Sequence, residues 1–196
     1  MSGRILIDTT NRGIFNYNSN IFEKHDHVIL YMQNGTLIIF NDARRFGAMD
    51  MAPTKTLDTH WLLKRLGPEP LGNGLNAEYL ANRFKNKNTA IKTTLLDQLI
   101  VAGLGNIYVC EILFRSGVSP QKNTNKLKMK EIERLVKFTR SVLIEAIEAG
   151  GSSLKDHRQT NGELGYFQHK FLVYGQEGEK CVNDNCQTII KRVIQS

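Results

Sequence analysis

Three short stretches of this 196-residue sequence carry residue types whose spacing could do chemistry. In Ala102-Gly103-Leu104-Gly105-Asn106-Ile107-Tyr108, the glycines permit a sharp reversal and a close approach to the backbone, and Asn106 stands where a helix N-cap belongs. The N–H groups at such a helix start make a ready phosphate site. The same spacing also serves an ordinary helical hairpin with a capping asparagine. In Asn41-Asp42-Ala43-Arg44-Arg45-Phe46-Gly47, an arginine can pair with an orphaned base and a phenylalanine can wedge between base steps. A surface turn with an aromatic anchor would read identically. In Cys181-Val182-Asn183-Asp184-Asn185-Cys186, two thiols are separated by a spacer within the range of zinc ligands. Two thiolates do not close a tetrahedral site, so further ligands must come from elsewhere. Cys110, on an expected helix, reads as a small buried apolar residue rather than a third ligand, and His169 is a remote candidate.

The elements that must position these residues can be read in outline. Ile5 to Ile7, His27 to Met32 and Thr36 to Phe40 are apolar runs of strand length. Asn34-Gly35 between the last two predicts a hairpin over 27–40 with a two-residue type I′ turn. So small a sheet needs a cover or further strands. Residues 48–60, with Pro53, have no period and read as a linker, and from Trp61 the pattern is helical almost to residue 150. A short helix is expected over Ala77–Phe84, ending in the basic loop Lys85-Asn86-Lys87-Asn88. An apolar helix through Leu95–Ala102 leads into the glycine turn, and a second helix opens at Asn106. The longest helix is expected over Met129–Ala149, with Ile132, Leu135, Val136, Val142, Leu143 and Ile147 on its apolar face and Gly150-Gly151 ending it. Residues 156–168 read as a polar loop with two glycines, compatible with a plain solvated loop.

Composition narrows the partners. There are 26 Lys plus Arg against 19 Asp plus Glu, a net charge of +7, which favours a polyanion: nucleic acid or an anionic surface. No apolar run is long enough to span a bilayer, and no membrane role is expected. Three cysteines, an odd number, argue for a reducing compartment rather than a disulfide framework, so a cytoplasmic location is expected.

With these stretches in hand, the sequence resembles the bacterial formamidopyrimidine-DNA glycosylases, bifunctional enzymes that remove oxidised purines such as 8-oxoguanine and then cleave the abasic site. Ala102–Tyr108 is similar to that family's helix–two-turn–helix motif, and Asn41–Gly47 to its Asn-Asp-Pro-Arg-Arg-Phe-Gly loop, with Ala43 in place of proline. His25-Asp26-His27, Leu66–Leu71, Thr89–Lys92, Gly150–Asp156 and Val173-Tyr174-Gly175 also match, collinearly along the whole chain. The resemblance implies that Met1, Arg44 and Phe46 fill the stack vacated by a flipped base and face the orphaned cytosine. It implies DNA contacts from His25, Arg44, Lys87 and Asn106, a loop over the flipped base at 156–168, and zinc ligation by Cys181 and Cys186. The ribosomal and topoisomerase proteins that share the hairpin leave the Arg-Arg-Phe loop and the cysteines unexplained.

The departures matter as much. Family members begin with a proline whose amine attacks the sugar, followed by a glutamate, with a β-hairpin lysine further on. Here the first residues, Met1-Ser2-Gly3-Arg4, resemble an internal segment of the family, and the sequence stops before a second cysteine pair. The expected fold is α+β: a partial N-terminal β-sandwich over 1–52, a central helix–two-turn–helix domain over 58–165 and an incomplete zinc-finger hairpin over 166–196. Zinc is expected only if the second pair is supplied; without it the half-finger would be disordered or bind metal weakly. The expected role is base-excision repair on duplex DNA containing an oxidised purine or abasic site, as a monomer. No catalytic residue is assigned, and the 196-residue chain alone is expected neither to excise a base nor to nick DNA efficiently. The alternatives are a DNA-binding remnant without catalysis and, more distantly, an RNA-binding scaffold.

Overall fold

A computed structural model describes residues 4–8, 22–152 and 165–194. Met1 and most of the 156–168 loop therefore lie outside the described residues. The chain divides into two compact units, one of Met1–Met51 with Ala149–Gln168, the other of Ala52–Glu148 with His169–Ser196.

The first unit is built on an antiparallel sheet in the order β1-β3-β2, from β1 (Arg4–Asp8), β2 (Asp26–Tyr31) and β3 (Leu37–Asn41). β3 is central. Its alternation buries Leu37, Ile39 and Asn41 and leaves Ile38 and Phe40 half-buried, as period-two packing requires. The expected hairpin is present, but its turn differs from type I′. Gly35 N–H donates to the Met32 carbonyl at 2.9 Å, and of the turn residues only Gly35 has a positive φ, at 80°. A type I′ turn needs positive φ at both central residues. Here Asn34 instead spends its side chain on the Thr36 N–H, at 3.1 Å, which suits a longer loop with one left-handed glycine. At the other end of the hairpin a register shift between Asp26 and Val28 leaves His27 outside the ladder. Further along, Ser152 bridges Tyr166, so the chain enters and leaves segment 153–164 side by side. Gly165 is obligatory there, because a Cβ would collide with the Gly151 carbonyl oxygen.

The second unit is helical, with α1 (Ala77–Phe84), α2 (Ile91–Leu96), α3 (Asn106–Arg115) and α4 (Met129–Glu148). α1 starts where Asn76 Oδ1 accepts the Tyr79 N–H at 2.8 Å. α4 packs against α1 and α3, burying Ile132, Leu135, Thr139, Val142 and Ala146 at three-four spacing. That stripe corrects the expected one: Val136 and Leu143 are half-buried and Ile147 is 65% exposed. The polar intruder Thr139 is satisfied by donating to the Leu135 carbonyl at 2.7 Å. Leu80, Phe84, Ile91, Leu95, Val109, Ile112 and Leu135 complete a fully buried core. Each such side chain contributes about 1.5–3 kcal/mol by leaving water.

Two further expectations need correction. Residues 61–76 are turns and irregular chain, and the preceding stretch holds a short 3-10 turn at Thr54–Thr59. The helix expected over 95–102 is α2, which ends at Leu96. The apolar residues beyond it, Ile100, Val101, Ala102 and Leu104, are buried by a turn rather than by a helix. No described helix is long and apolar enough to cross a membrane.

Candidate functional site

In the first unit the candidate residues gather on the loop that leaves β3. Arg44 and Phe46 are both exposed, Phe46 at 77%, and the Arg44 guanidinium lies 6.0 Å from the Phe46 ring centroid. An exposed aromatic held beside a cation gains little from folding, and its ring faces outward as a stacking surface. The loop itself is held by Asp42. This carboxylate, from a residue only 1% exposed, accepts the Arg44 N–H at 3.2 Å and the Gly47 N–H at 2.6 Å. His25, half-buried, joins the same cluster through its backbone, because its carbonyl accepts the Asp42 N–H at 3.0 Å. The displaced His27 donates Nε2–H to the Asp42 carbonyl at 2.8 Å. Asn41 donates to Asp26 Oδ1 at 2.7 Å. His25, Arg44 and Phe46 thus share one network.

In the second unit the turn between α2 and α3 is templated by Gln98. Its Oε1 accepts the Gly103 N–H at 2.7 Å, and its Nε2 donates to the Leu104 carbonyl at 3.0 Å. Gly103 has φ 78°, where a side chain would be strained. Gly105, not Asn106, is the N-cap of α3, in extended conformation at φ −113° and with no side-chain cap. Asn106 is therefore the first helical residue, exposed, and free of the capping role expected for it. Its Oδ1 receives only a long contact from the Cys110 thiol, at 3.8 Å. A helix start without a side-chain cap keeps its N–H groups and positive dipole end for an external anion.

Lys87 lies beside the C-terminal end of α2. Its ammonium lies 3.7 Å from Asp97, the residue that ends α2, and both side chains are more than a third exposed. An exposed pair of that kind is worth at most about 1 kcal/mol, so it does not withhold Lys87 from a phosphate. Asn106, Cys110 and Lys92 also line a groove of about 800 Å³ whose other walls include Tyr174, Asn183 and Arg192. Cys110 is half-buried on that groove, rather than part of the core.

Residues 178–190 form a hairpin. Cys181 N–H donates to the Thr188 carbonyl at 2.9 Å, Gly178 N–H to the Ile190 carbonyl at 3.0 Å and Ile190 N–H to the Glu179 carbonyl at 2.9 Å. A tight turn, with Cys186 N–H on the Asn183 carbonyl at 2.8 Å, brings the second thiol back toward the first. Hydrogen bonds from the side chain and backbone of Thr188, then from the Cys181 thiol, hold Cys186 below the usual thiol range. That donor set fits half of a tetrahedral sulfur site. Among the described residues no group of three or more His, Cys, Asp or Glu could hold a metal ion, and the exposed His169 supplies no third ligand.

Sequence reasoning passed over Asp42, Gln98 and His27. The signal available for the first two was an amide or carboxylate beside a glycine turn, which is a common turn device.

Comparison with known proteins agrees with this architecture. The model of the formamidopyrimidine-DNA glycosylase H2TH domain matches residues 66–158. The formamidopyrimidine-DNA glycosylase of a Jannaschia species is 55% identical over 196 residues, covering 100% of this chain and 69% of that protein. The enzyme of the same name from Cereibacter sphaeroides is 54% identical with the same coverage. Among solved structures, Lactococcus lactis Fpg in complex with abasic-site DNA is similar at TM-score 0.82 and 32% identity, over 98% of this chain and 67% of that one. MutM in complex with DNA containing carbocyclic 8-oxo-G matches at TM-score 0.82 and 32% identity, over 98% and 66%. With more than half of its residues identical to relatives of which it covers 69%, the chain belongs to the formamidopyrimidine-DNA glycosylase family.

Proposed function

We propose that this chain is the DNA-engaging part of a base-excision repair glycosylase acting on duplex DNA with an oxidised purine or an abasic site. The observation that carries the reading is the pair of exposed side chains on one pinned loop, Phe46 at 77% exposure with the Arg44 guanidinium beside it. Extruding a base costs a few kcal/mol in lost stacking and pairing. Phe46 offsets that cost by stacking in the vacated space, and Arg44 offers a forked donor to the orphaned partner base. Met1 is assigned to the same wedge by resemblance. His25, Lys87 and the start of α3 at Asn106 bind backbone phosphates, which fix register without reading sequence. No nucleophile is assigned among the described residues. The zinc that the family implies would be held by Cys181 and Cys186 together with two donors from outside the described residues, and its chemistry would be structural, bracing the hairpin. Three free cysteines suit the reducing cytoplasm.

The test compares binding to duplexes with and without an abasic-site analogue. Arg44→Ala plus Phe46→Ala should reduce the preference for the damaged duplex roughly tenfold, as expected for loss of one base–aromatic stack. Affinity for intact duplex should stay nearly constant. An equal loss on both duplexes would show that the loop is scaffold and overturn the wedge assignment.

A further inference from the structure

Asp42 stands at the root of the loop that presents Arg44 and Phe46. Its side chain is buried, its residue being 1% exposed, directly beneath a loop whose own residues 43–46 are all exposed. One carboxylate oxygen holds the Arg44 N–H and the other the Gly47 N–H, so both ends of the loop close on a single group. Its backbone adds to the junction: the N–H donates to the His25 carbonyl, and the Asp42 carbonyl accepts the His27 ring N–H at 2.8 Å and the Arg45 N–H at 3.4 Å. Two features show how tightly the loop is wound around this carboxylate. Arg45 takes φ 55°, a left-handed conformation that a non-glycine residue adopts only when its surroundings impose it. A Cβ at Gly47 would stand 2.5 Å from the Phe40 ring and 2.8 Å from Asp42 Oδ2, so no side chain fits between the loop and its anchor.

We infer that Asp42 is a positioning residue that sets lesion preference. Its carboxylate fixes the Arg44–Phe46 loop in one geometry before DNA arrives, and it need not touch DNA itself. This rests on the reading of Arg44 and Phe46 as the wedge. The physical ground is preorganisation. A wedge on a slack loop must be ordered during base extrusion, which weakens binding to the extruded state while leaving phosphate contacts elsewhere intact. Asp42 therefore acts on the ratio of damaged to intact binding rather than on affinity in general.

The experiment measures that ratio for wild type, Asp42→Ala, Asp42→Asn and the Arg44→Ala/Phe46→Ala variant in parallel. The ratio is insensitive to the folded fraction, since both duplexes titrate the same active molecules. Asp42→Ala should lower it about tenfold, to the level of the double variant, with intact-duplex affinity within about twofold of wild type. Asp42→Asn keeps one oxygen acceptor but turns an amide N–H₂ toward the second donor, and should fall between. In both Asp42 variants, amide hydrogen exchange at Arg44 and Gly47 should accelerate while the β2–β3 ladder stays protected. If Asp42→Ala does not fold, Asp42→Asn carries the test. A ratio that drops in the double variant but not in the Asp42 variants overturns the inference. An unchanged ratio in the double variant overturns the wedge reading itself. Parallel loss on both duplexes in the Asp42 variants shows a general structural role and overturns the inference too.

Discussion

Glu111 is the clearest case of a single residue committed to holding the fold. It lies on α3 with no exposed surface, and its carboxylate accepts the N–H groups of Leu172 at 2.9 Å, Val173 at 3.0 Å and Tyr174 at 2.9 Å. Those residues lie outside any helix or strand, so without Glu111 their donors lose their acceptor. Glu111→Leu keeps the volume but removes every acceptor, and each stranded donor costs about 1–3 kcal/mol. The expected loss is at least about 3 kcal/mol, which lowers the melting temperature by roughly 6–12 °C. Glu111→Gln, which retains one oxygen, should lose about half as much. Thermal melts of both variants check the order; a Leu variant as stable as wild type would refute the clamp. Glu111 sits among Val109, Ile112 and Leu113, and nothing local marks it out. Its partners are 61 to 63 residues away.

At the scale of an element, α4 shows how a helix start is secured. Glu131 reaches back to accept the Lys128 N–H at 2.9 Å, one arm of a capping box, and both its oxygens lie 2.9 Å from the Lys122 ammonium. The Lys128 backbone bond first, then the Lys122 ammonium, holds the Glu131 carboxyl below its ordinary value. A depressed folded-state value means that this stabilisation is present above the unfolded carboxylate range and is lost as pH falls through the folded value. Glu131→Ala should cost about 1 kcal/mol at neutral pH. The gap between wild type and variant should narrow as acidification carries the solution below the ordinary glutamate range and into the depressed folded-state range. Urea unfolding at neutral and at acid pH measures it, and a pH-independent gap would contradict the assignment. The extents of α1 and α4 were legible because amphipathic repeats are local signals, but the exact face of α4 was not, since Val136, Leu143 and Ile147 fall at or beyond its edge. Nor was the end of α2. Leu99–Leu104 carries the hydrophobicity of a helix, but the Asp97 and Gln98 side chains take its backbone N–H groups at Leu99 and Gly103 and bend it into a turn.

For the whole molecule, the net charge of +7 and the phosphate-directed residues predict strongly salt-dependent DNA binding. About three phosphate contacts would weaken binding roughly fortyfold between 50 and 200 mM salt. Lys87→Ala should weaken binding to every duplex alike and reduce the logarithmic salt slope by about one. Affinity that is flat across this range would remove the electrostatic basis of the proposal. Charge is legible in composition, and it is the charge that points to a polyanion. The sequence by itself determined the net charge, the β2–β3 pairing, the extents of α1 and α4, and the family, because charge, periodicity and motif spacing survive without coordinates. Tertiary structure alone decided that Asp42 is the buried anchor of an exposed loop and that Glu111 serves a segment 61 residues away. It also decided that α3 begins uncapped, with Asn106 exposed beside its N-terminus. The reason is physical. A side-chain carboxylate or amide has no preferred partner until packing brings a particular backbone N–H within about 3 Å, and that proximity is a property of the fold.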